Sequence, residues 1–239
     1  MSVAAKSGEA ALAMRGWTTV AGERVHCDRR GALWLPGSSV LVVSDLHLEK
    51  GSSFARRGVM LPPYDTAMTL ARLGAVVSDY SPQIVVSLGD SFHDAGASAR
   101  MPDIFRVHLS ALMAGRQWFW ISGNHDPAPP VGLGGVFANE LTIGPLAFRH
   151  EPSPGSAAGE IAGHLHPGAR IVRQGRSVRR ACFASDGARM VMPAFGALTG
   201  TLNVLDRAYA GLFDWPSFKV HVLGAERVYA LDASVLFPG

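Results

Sequence analysis

The chain has 239 residues, 48% hydrophobic and 17% charged, and its 22 basic and 19 acidic side chains leave a formal charge of +3. This balance excludes a disordered or solvating chain, which combines low hydrophobicity with a large charge excess, and it fits neither a collagen-like nor a coiled-coil composition. All the basic residues except Lys6, Lys50 and Lys219 are arginine, which serves bidentate phosphate contact and equally follows from a codon bias toward arginine.

Residues 1–15 read as a flexible tail, with Lys6, Glu9 and Arg15 among short alanine stretches and no apolar segment of the secretory kind. Residues 16–239 are expected to form one domain. Thr18-Thr19-Val20, Val25 and Leu33-Trp34-Leu35, punctuated by turn residues, predict short antiparallel strands. Val40–Val43 is a continuous apolar run of the kind found in a strand buried on both faces. Leu70, Leu73, Val77 and Tyr80 recur at steps of three and four, predicting a helix over 65–80 with Asp65 as its N-cap. Ile84–Leu88 predicts a second buried strand, 102–114 a helix with Pro102 in its first turn, and Trp118–Ile121 a third strand. Beyond residue 135 short strands alternate with Gly and Pro turns, which predicts a mostly antiparallel sheet packed on the first. No apolar run approaches the ~18–20 residues that span a bilayer. The chain is therefore expected to be soluble, off the membrane and cytoplasmic, with Cys27 and Cys182 as buried, reduced thiols.

The residues that follow the buried strands carry the chemistry. The first strand ends in Ser44-Asp45-Leu46-His47, the second in Gly89-Asp90, and the third in Gly123-Asn124-His125-Asp126. Ligand sites of open α/β sheets form at that carboxyl edge. Arg149-His150 and Gly163-His164-Leu165-His166 follow later strands in the same way. In extended backbone, residues two apart project to one side, so Asp45 with His47, and His164 with His166, can each reach one ion. Asp90 can bridge two ions through its two oxygens, while Asn124 and His150 offer further donors. Mixed nitrogen and oxygen ligation suits Mn, Fe or Zn rather than calcium. Two such ions about 3.5–4 Å apart clamp a phosphate and generate hydroxide at neutral pH.

These motifs, in this order over residues 40–167, resemble the calcineurin-like metallophosphoesterase superfamily. The resemblance implies a four-layer α/β/β/α sandwich of two mixed sheets with flanking helices. It implies one metal held by Asp45, His47, Asp90 and His166, and a second held by Asp90, Asn124, His150 and His164, with Mn expected and Fe or Zn as alternatives. Catalysis would proceed by in-line attack of a metal-bridging hydroxide on phosphorus. His125 would contact the phosphate and protonate the leaving oxygen, and Asp126 would orient His125. The longer strings Asp45–Gly51, Leu88–Asp94 and Pro193-Ala194-Phe195-Gly196-Ala197 are similar to the bacterial ligase-associated DNA damage response endonucleases, which are encoded near an ATP-dependent DNA ligase and a helicase. That likeness implies a nuclease of DNA repair with DNA as substrate and those two enzymes as functional partners. It leaves homo-oligomerisation open.

One departure is local. Many superfamily members place an acidic residue shortly after Gly-Asp, whereas this chain reads Ser91-Phe92-His93-Asp94, which makes His93 and Asp94 secondary candidates, either to support the metal cluster or, His93 above all, to contact substrate. Arg56-Arg57 lie in a stretch expected to be a long Gly/Ser-rich loop between the first motif and the first helix, and either border the site or are solvated. Arg170, Arg173, Arg176, Arg179 and Arg180 form either a phosphate-tracking rim or an exposed hairpin turned at Gly175. A small-molecule or nucleotide phosphodiesterase or phosphatase is the alternative enzyme reading. A metal-free scaffold that binds protein partners is the alternative from another class, disfavoured because every expected ligand position is filled.

Overall fold

The computed structural model describes residues 16–62, 64–155, 157–173 and 175–238, with Arg173 described by its backbone alone, so the expected tail over 1–15 lies outside the described residues. Strands Trp17–Val20 (β1), Glu23–Cys27 (β2) and Leu33–Leu35 (β3) form the antiparallel run read from the sequence, and β3 pairs antiparallel with Val40–Ser44 (β4). From β4 the pairing turns parallel through Ile84–Leu88 (β5), Gln117–Ile121 (β6) and Val136–Ala138 (β7), which completes a seven-stranded mixed sheet. Parallel neighbours need long crossovers. Helices Lys50–Ala55 (α1) and Asp65–Tyr80 (α2) supply the first, and Ala97–Arg100 (α3) and Asp103–Met113 (α4) the second.

Every residue of β4 is buried, and the strand's alternation divides it between two layers. Leu41 and Val43 meet Leu70, Leu73, Val76 and Leu109 of the helices. Val40 and Val42 meet Phe148, Ile161 and Phe183 of the second sheet. Burying each such side chain contributes roughly 1.5–3 kcal/mol, so β4 is anchored from both sides before its polar end begins.

The second sheet contains Glu140–Ile143 (β8), Leu146–Arg149 (β9), Glu160–Ala162 (β10), Pro167–Arg173 (β11), Arg176–Ser185 (β12), Met190–Val191 (β13) and Leu202–Asn203 (β14). Lys219–Leu223 (β15) and Val228–Asp232 (β16) extend it from β12. Antiparallel pairs predominate, but β9–β10, β10–β13 and β11–β14 are parallel, so this sheet is mixed as well. Its outer face buries Ala169, Cys182, Ala184 and Val220 under Val204, Tyr209, Leu212 and Phe218. The layer that covers it is built of single 3₁₀ turns, Arg207–Tyr209, Trp215–Ser217 and Ala233–Val235, rather than α-helices.

Two local expectations are corrected. Asp65 does not cap its own helix, which starts after Tyr64. Its carboxylate instead accepts the Gly51 N–H at 2.9 Å, satisfying a free donor in the first turn of α1. That helix itself occupies much of the Gly/Ser-rich stretch expected to be loop. Cys27 and Cys182 are free and buried, and burial pushes both thiols up. Among the described residues no helix is long and apolar enough to cross a membrane.

Candidate metal centre

The parallel order of β4, β5 and β6 delivers the polar ends of all three strands to one edge. The second sheet meets that edge with the ends of β9 and β10. The Gly163 N–H donates to the His150 carbonyl at 2.9 Å, the His164 N–H to Asp45 Oδ2 at 3.1 Å, and His150 Nδ1 to the Leu88 carbonyl at 2.9 Å. The join is tight enough to demand glycine. A Cβ on Gly163 would lie 1.9 Å from Ser44 Oγ, and one on Gly123 would lie 2.2 Å from the Asp90 nitrogen.

Two groups of donor atoms result. Asp45, His47 and His166 form one, and Asp90, His150 and His164 the other, with the donor atoms of each within 4.8 Å of one another. Asn124 joins the second through Oδ1, 3.0 Å from His150 Nε2. Asp90 Oδ2 stands between the groups, 3.5 Å from His150 Nε2 and 4.0 Å from His47 Nε2. Thus the structure brings together all seven residues expected as ligands, although not by the expected backbone. Asp45, His47, Asp90, His164 and His166 all have positive φ, between 44° and 67°. Asp45 and His47 therefore share a target through left-handed turns, not through strand alternation, whereas His164 and His166 part to different groups, contrary to the expectation that both reach one ion. Such conformations cost on the order of 1–3 kcal/mol each outside glycine and persist where surrounding contacts impose them.

The donor set fits divalent ions. Asp45 Oδ1 is buried, accepts no hydrogen bond, and has His166 Nε2 at 3.2 Å. With His150 Nδ1 committed to the Leu88 carbonyl, its Nε2 faces Asn124 Oδ1, Asp90 Oδ2 and His164 Nδ1, which lies 3.1 Å away. A divalent cation suits this convergence of acceptors. Burial lowers the His150 pKa, but Asp90 and Asp45 outweigh it and hold the ring up at about 9. Burial lowers His47 to about 3, and burial with the His150 charge lowers His164, so both rings offer lone pairs at neutral pH.

The other expected site residues are sorted by their contacts. His125 is well exposed, with its N–H donating to Asp90 Oδ1 at 2.9 Å and Nε2 3.8 Å from Asp90 Oδ2. Asp126 does not orient His125, contrary to the expectation. His125 Nδ1 donates to the His93 carbonyl at 2.9 Å, while the Asp126 carboxylate accepts the Phe92 N–H at 3.1 Å and so fixes the loop after β5. Burial and the Asp90 charge raise Asp126 to about 7 despite that bond. The His93 ring stacks between Phe54 and His125, at centroid distances of 5.5 and 5.2 Å, and its Nδ1 lies 3.3 Å from His47 Nδ1. Asp94 is held by Arg100 and the Gly96 N–H, away from the donor groups.

Arg56 and Arg57 are exposed at the end of α1, and the charge of Arg57 reaches His93. The arginine run does not form a continuous rim. Arg170 pairs with Arg179 across the β11–β12 hairpin, and strand alternation places Arg176 and Arg180 on the opposite face. Arg170 donates to the Pro238 carbonyl and Ser177, and Arg179 to the Thr201 carbonyl. The sequence reading missed a cavity of about 430 Å³ beside the second group, lined by Asn124 and His150 with Asn139, Glu140, Arg149 and Glu151. Only the adjacency of Arg149 to His150 hinted at it.

The calcineurin-like phosphoesterase family model matches residues 38–175, more than half of the chain and all of the donor residues. The chain belongs to the calcineurin-like phosphoesterases. As a member of this family it is a metal-dependent phosphoesterase with two candidate metal-binding groups. A crystal structure of Pseudomonas putida nuclease MPE is similar, with a TM-score of 0.69 and 26% identity, covering 91% of this chain and 100% of that one. No curated protein matches the chain.

Proposed function

We propose that this calcineurin-like phosphoesterase is a nuclease that hydrolyses phosphodiester bonds of DNA, in a repair setting that involves a DNA ligase and a helicase. The observation that carries the hydrolytic reading is the pair of donor groups with Asp90 Oδ2 between them. The likeness to a nuclease over its full length supports the nucleic-acid reading. Asp45, His47, Asp90 and His166 would hold one ion and Asp90, Asn124, His150 and His164 the other, with Mn favoured over Fe or Zn. Bound there, the ions would neutralise charge on the phosphoryl oxygens and lower the pKa of water.

The remaining steps belong to the chain. His150 is oriented by the Leu88 carbonyl, which holds Nδ1–H and so turns Nε2 inward. His125 keeps its Nδ1 proton on the His93 carbonyl, so in the imidazolium form Nε2–H is the proton available to the leaving oxygen. The exposure of His125 leaves room for an extended substrate, and the exposed Arg56 and Arg57 would meet its flanking phosphates.

The divided arginines of the β11–β12 hairpin favour a second reading, hydrolysis of a small diester that needs no long basic track. Cleavage of single- and double-stranded DNA, measured with Mn beside a chromogenic diester, separates the two. The nuclease reading expects both activities, each abolished by chelator and by Asp90→Asn. Diester hydrolysis without DNA cleavage contradicts it.

A further inference from the structure

The segment 192–202, which contains the Pro193–Ala197 motif, takes no part in the chemistry described so far. Its backbone nevertheless touches both arms of the first donor group. It leaves the second sheet with the Met192 N–H on the Ala162 carbonyl at 2.7 Å. It then donates Phe195 N–H to the Ser44 carbonyl at 2.7 Å and Gly196 N–H to the Asp45 carbonyl at 3.1 Å. It ends with the Leu202 N–H on the His166 carbonyl at 2.9 Å, where β14 begins its pairing with β11. Asp45 and His166 come from different sheets, and this one segment is bonded to the backbone of each.

The strap is fastened on its far side to the helices. Phe195 is fully buried among the residues under the first sheet. Arg72 of α2 donates to the Phe195 carbonyl and lies over its ring at 4.7 Å. The Ala197 N–H donates to Thr69 Oγ1 at 3.0 Å, and Lys50 of α1 reaches the Leu198 carbonyl at 2.8 Å. Gly196 is required by proximity: a Cβ there would lie 2.4 Å from the Leu46 carbonyl oxygen, midway between Asp45 and His47. By contrast, the described backbone bonds of the strap do not reach Asp90, Asn124 or His150.

We propose that residues 192–202 act as a positioning strap that sets the spacing of Asp45, His47 and His166, so that the first metal position depends on it and the second does not. The inference rests on the reading of the two donor groups as metal sites. It gives the left-handed backbone at Asp45 an outside partner, which that geometry needs to persist, while at His47 the N–H is held by the Asp90 carbonyl at 2.9 Å.

The test is Mn binding by calorimetry and electron paramagnetic resonance on the wild type, Gly196→Ala and Arg72→Met. The wild type is expected to bind two equivalents and give the spectrum of a coupled pair. Gly196→Ala is expected to weaken one equivalent by about 10–100-fold, the range for losing a group that orients metal ligands, and to give the spectrum of an isolated ion at one equivalent. Arg72→Met is expected to weaken the same equivalent by less. Parallel loss of both equivalents in the variants, or retention of both, overturns the strap. A wild type that binds fewer than two equivalents instead overturns the metal reading beneath it. If Gly196→Ala does not fold, Arg72→Met decides by the same criteria.

Discussion

Arg189 is one of the largest fully buried side chains in the molecule, and its replacement by methionine provides a quantitative test of how the second sheet supports the site. Its side chain is 1% exposed, and Nε lies 2.7 Å from Oε1 of Glu160, itself 3% exposed, at an angle that makes an ion pair rather than a hydrogen bond. The guanidinium also donates to the carbonyls of Leu212 at 2.8 Å and Ser153 at 2.7 Å. Glu160 in turn accepts the Ser153 N–H and hydroxyl, so the pair ties β10 to the loop that follows His150. Removing one partner of a buried pair costs about 3–5 kcal/mol. Arg149, 3.5 Å from Glu160, offsets part of this, while the two orphaned carbonyls add roughly 1 kcal/mol each. The expected loss for Arg189→Met is about 4 kcal/mol, or roughly 8–16 °C in melting temperature for a chain of this size. Calorimetry or urea denaturation measures it. Arg189→Leu combined with Glu160→Leu should recover much of the loss, since apolar replacement of a whole pair is often neutral. A single variant that loses under about 1 kcal/mol, or a double variant that loses more than the single one, refutes the reasoning.

Three other outcomes follow from named contacts. His125→Ala should slow DNA cleavage by about 10²–10⁴-fold, the usual worth of a general acid, yet slow a nitrophenyl diester far less, because that leaving group departs unprotonated; equal losses on both substrates contradict the proton-donor role. Gly163→Ala, which would set a Cβ 1.9 Å from Ser44 Oγ, should cost about 1–3 kcal/mol in melting experiments, and adding Ser44→Ala should restore part of it, whereas an additive pair speaks against the close approach. Burial raises the Asp28 pKa, but hydrogen bonds from Arg30 and Tyr80 outweigh it and hold the carboxyl below its ordinary value. Its contribution to stability is thus complete above the unfolded pKa near 4 and lost as pH falls through the lower folded value. Asp28→Asn should therefore shrink the difference in stability between pH 5 and pH 2, and an unchanged difference excludes Asp28 from the acid limb.

The donor residues were legible because strands buried on both faces read as unbroken apolar runs, which makes the polar residues at their ends conspicuous. Val40–Val43 before Asp45, and Ile84–Leu88 before Asp90, are of this kind. What placed those residues on one target was not legible. Strand alternation pointed to Asp45 with His47, but the backbone there is left-handed, held at Asp45 by Gly196, far along the chain, and at His47 by the Asp90 carbonyl. The arginines after His166 looked like one cluster because a linear sequence hides the alternation that sends Arg170 and Arg176 to opposite faces. Asp126 follows His125 in sequence, yet its carboxylate turns to Phe92, a choice set by the loop after β5. Glu160 and Arg189 are isolated charges in the sequence, and only the neighbouring β10 and β13 make them a pair.

The proposed chemistry turns on two ions between the sheets. Anomalous diffraction from crystals grown with Mn tests this most directly. Two peaks are predicted, one among Asp45, His47 and His166 and one among Asn124, His150 and His164, with Asp90 touching both. A single peak, or Mn bound away from these residues, contradicts it.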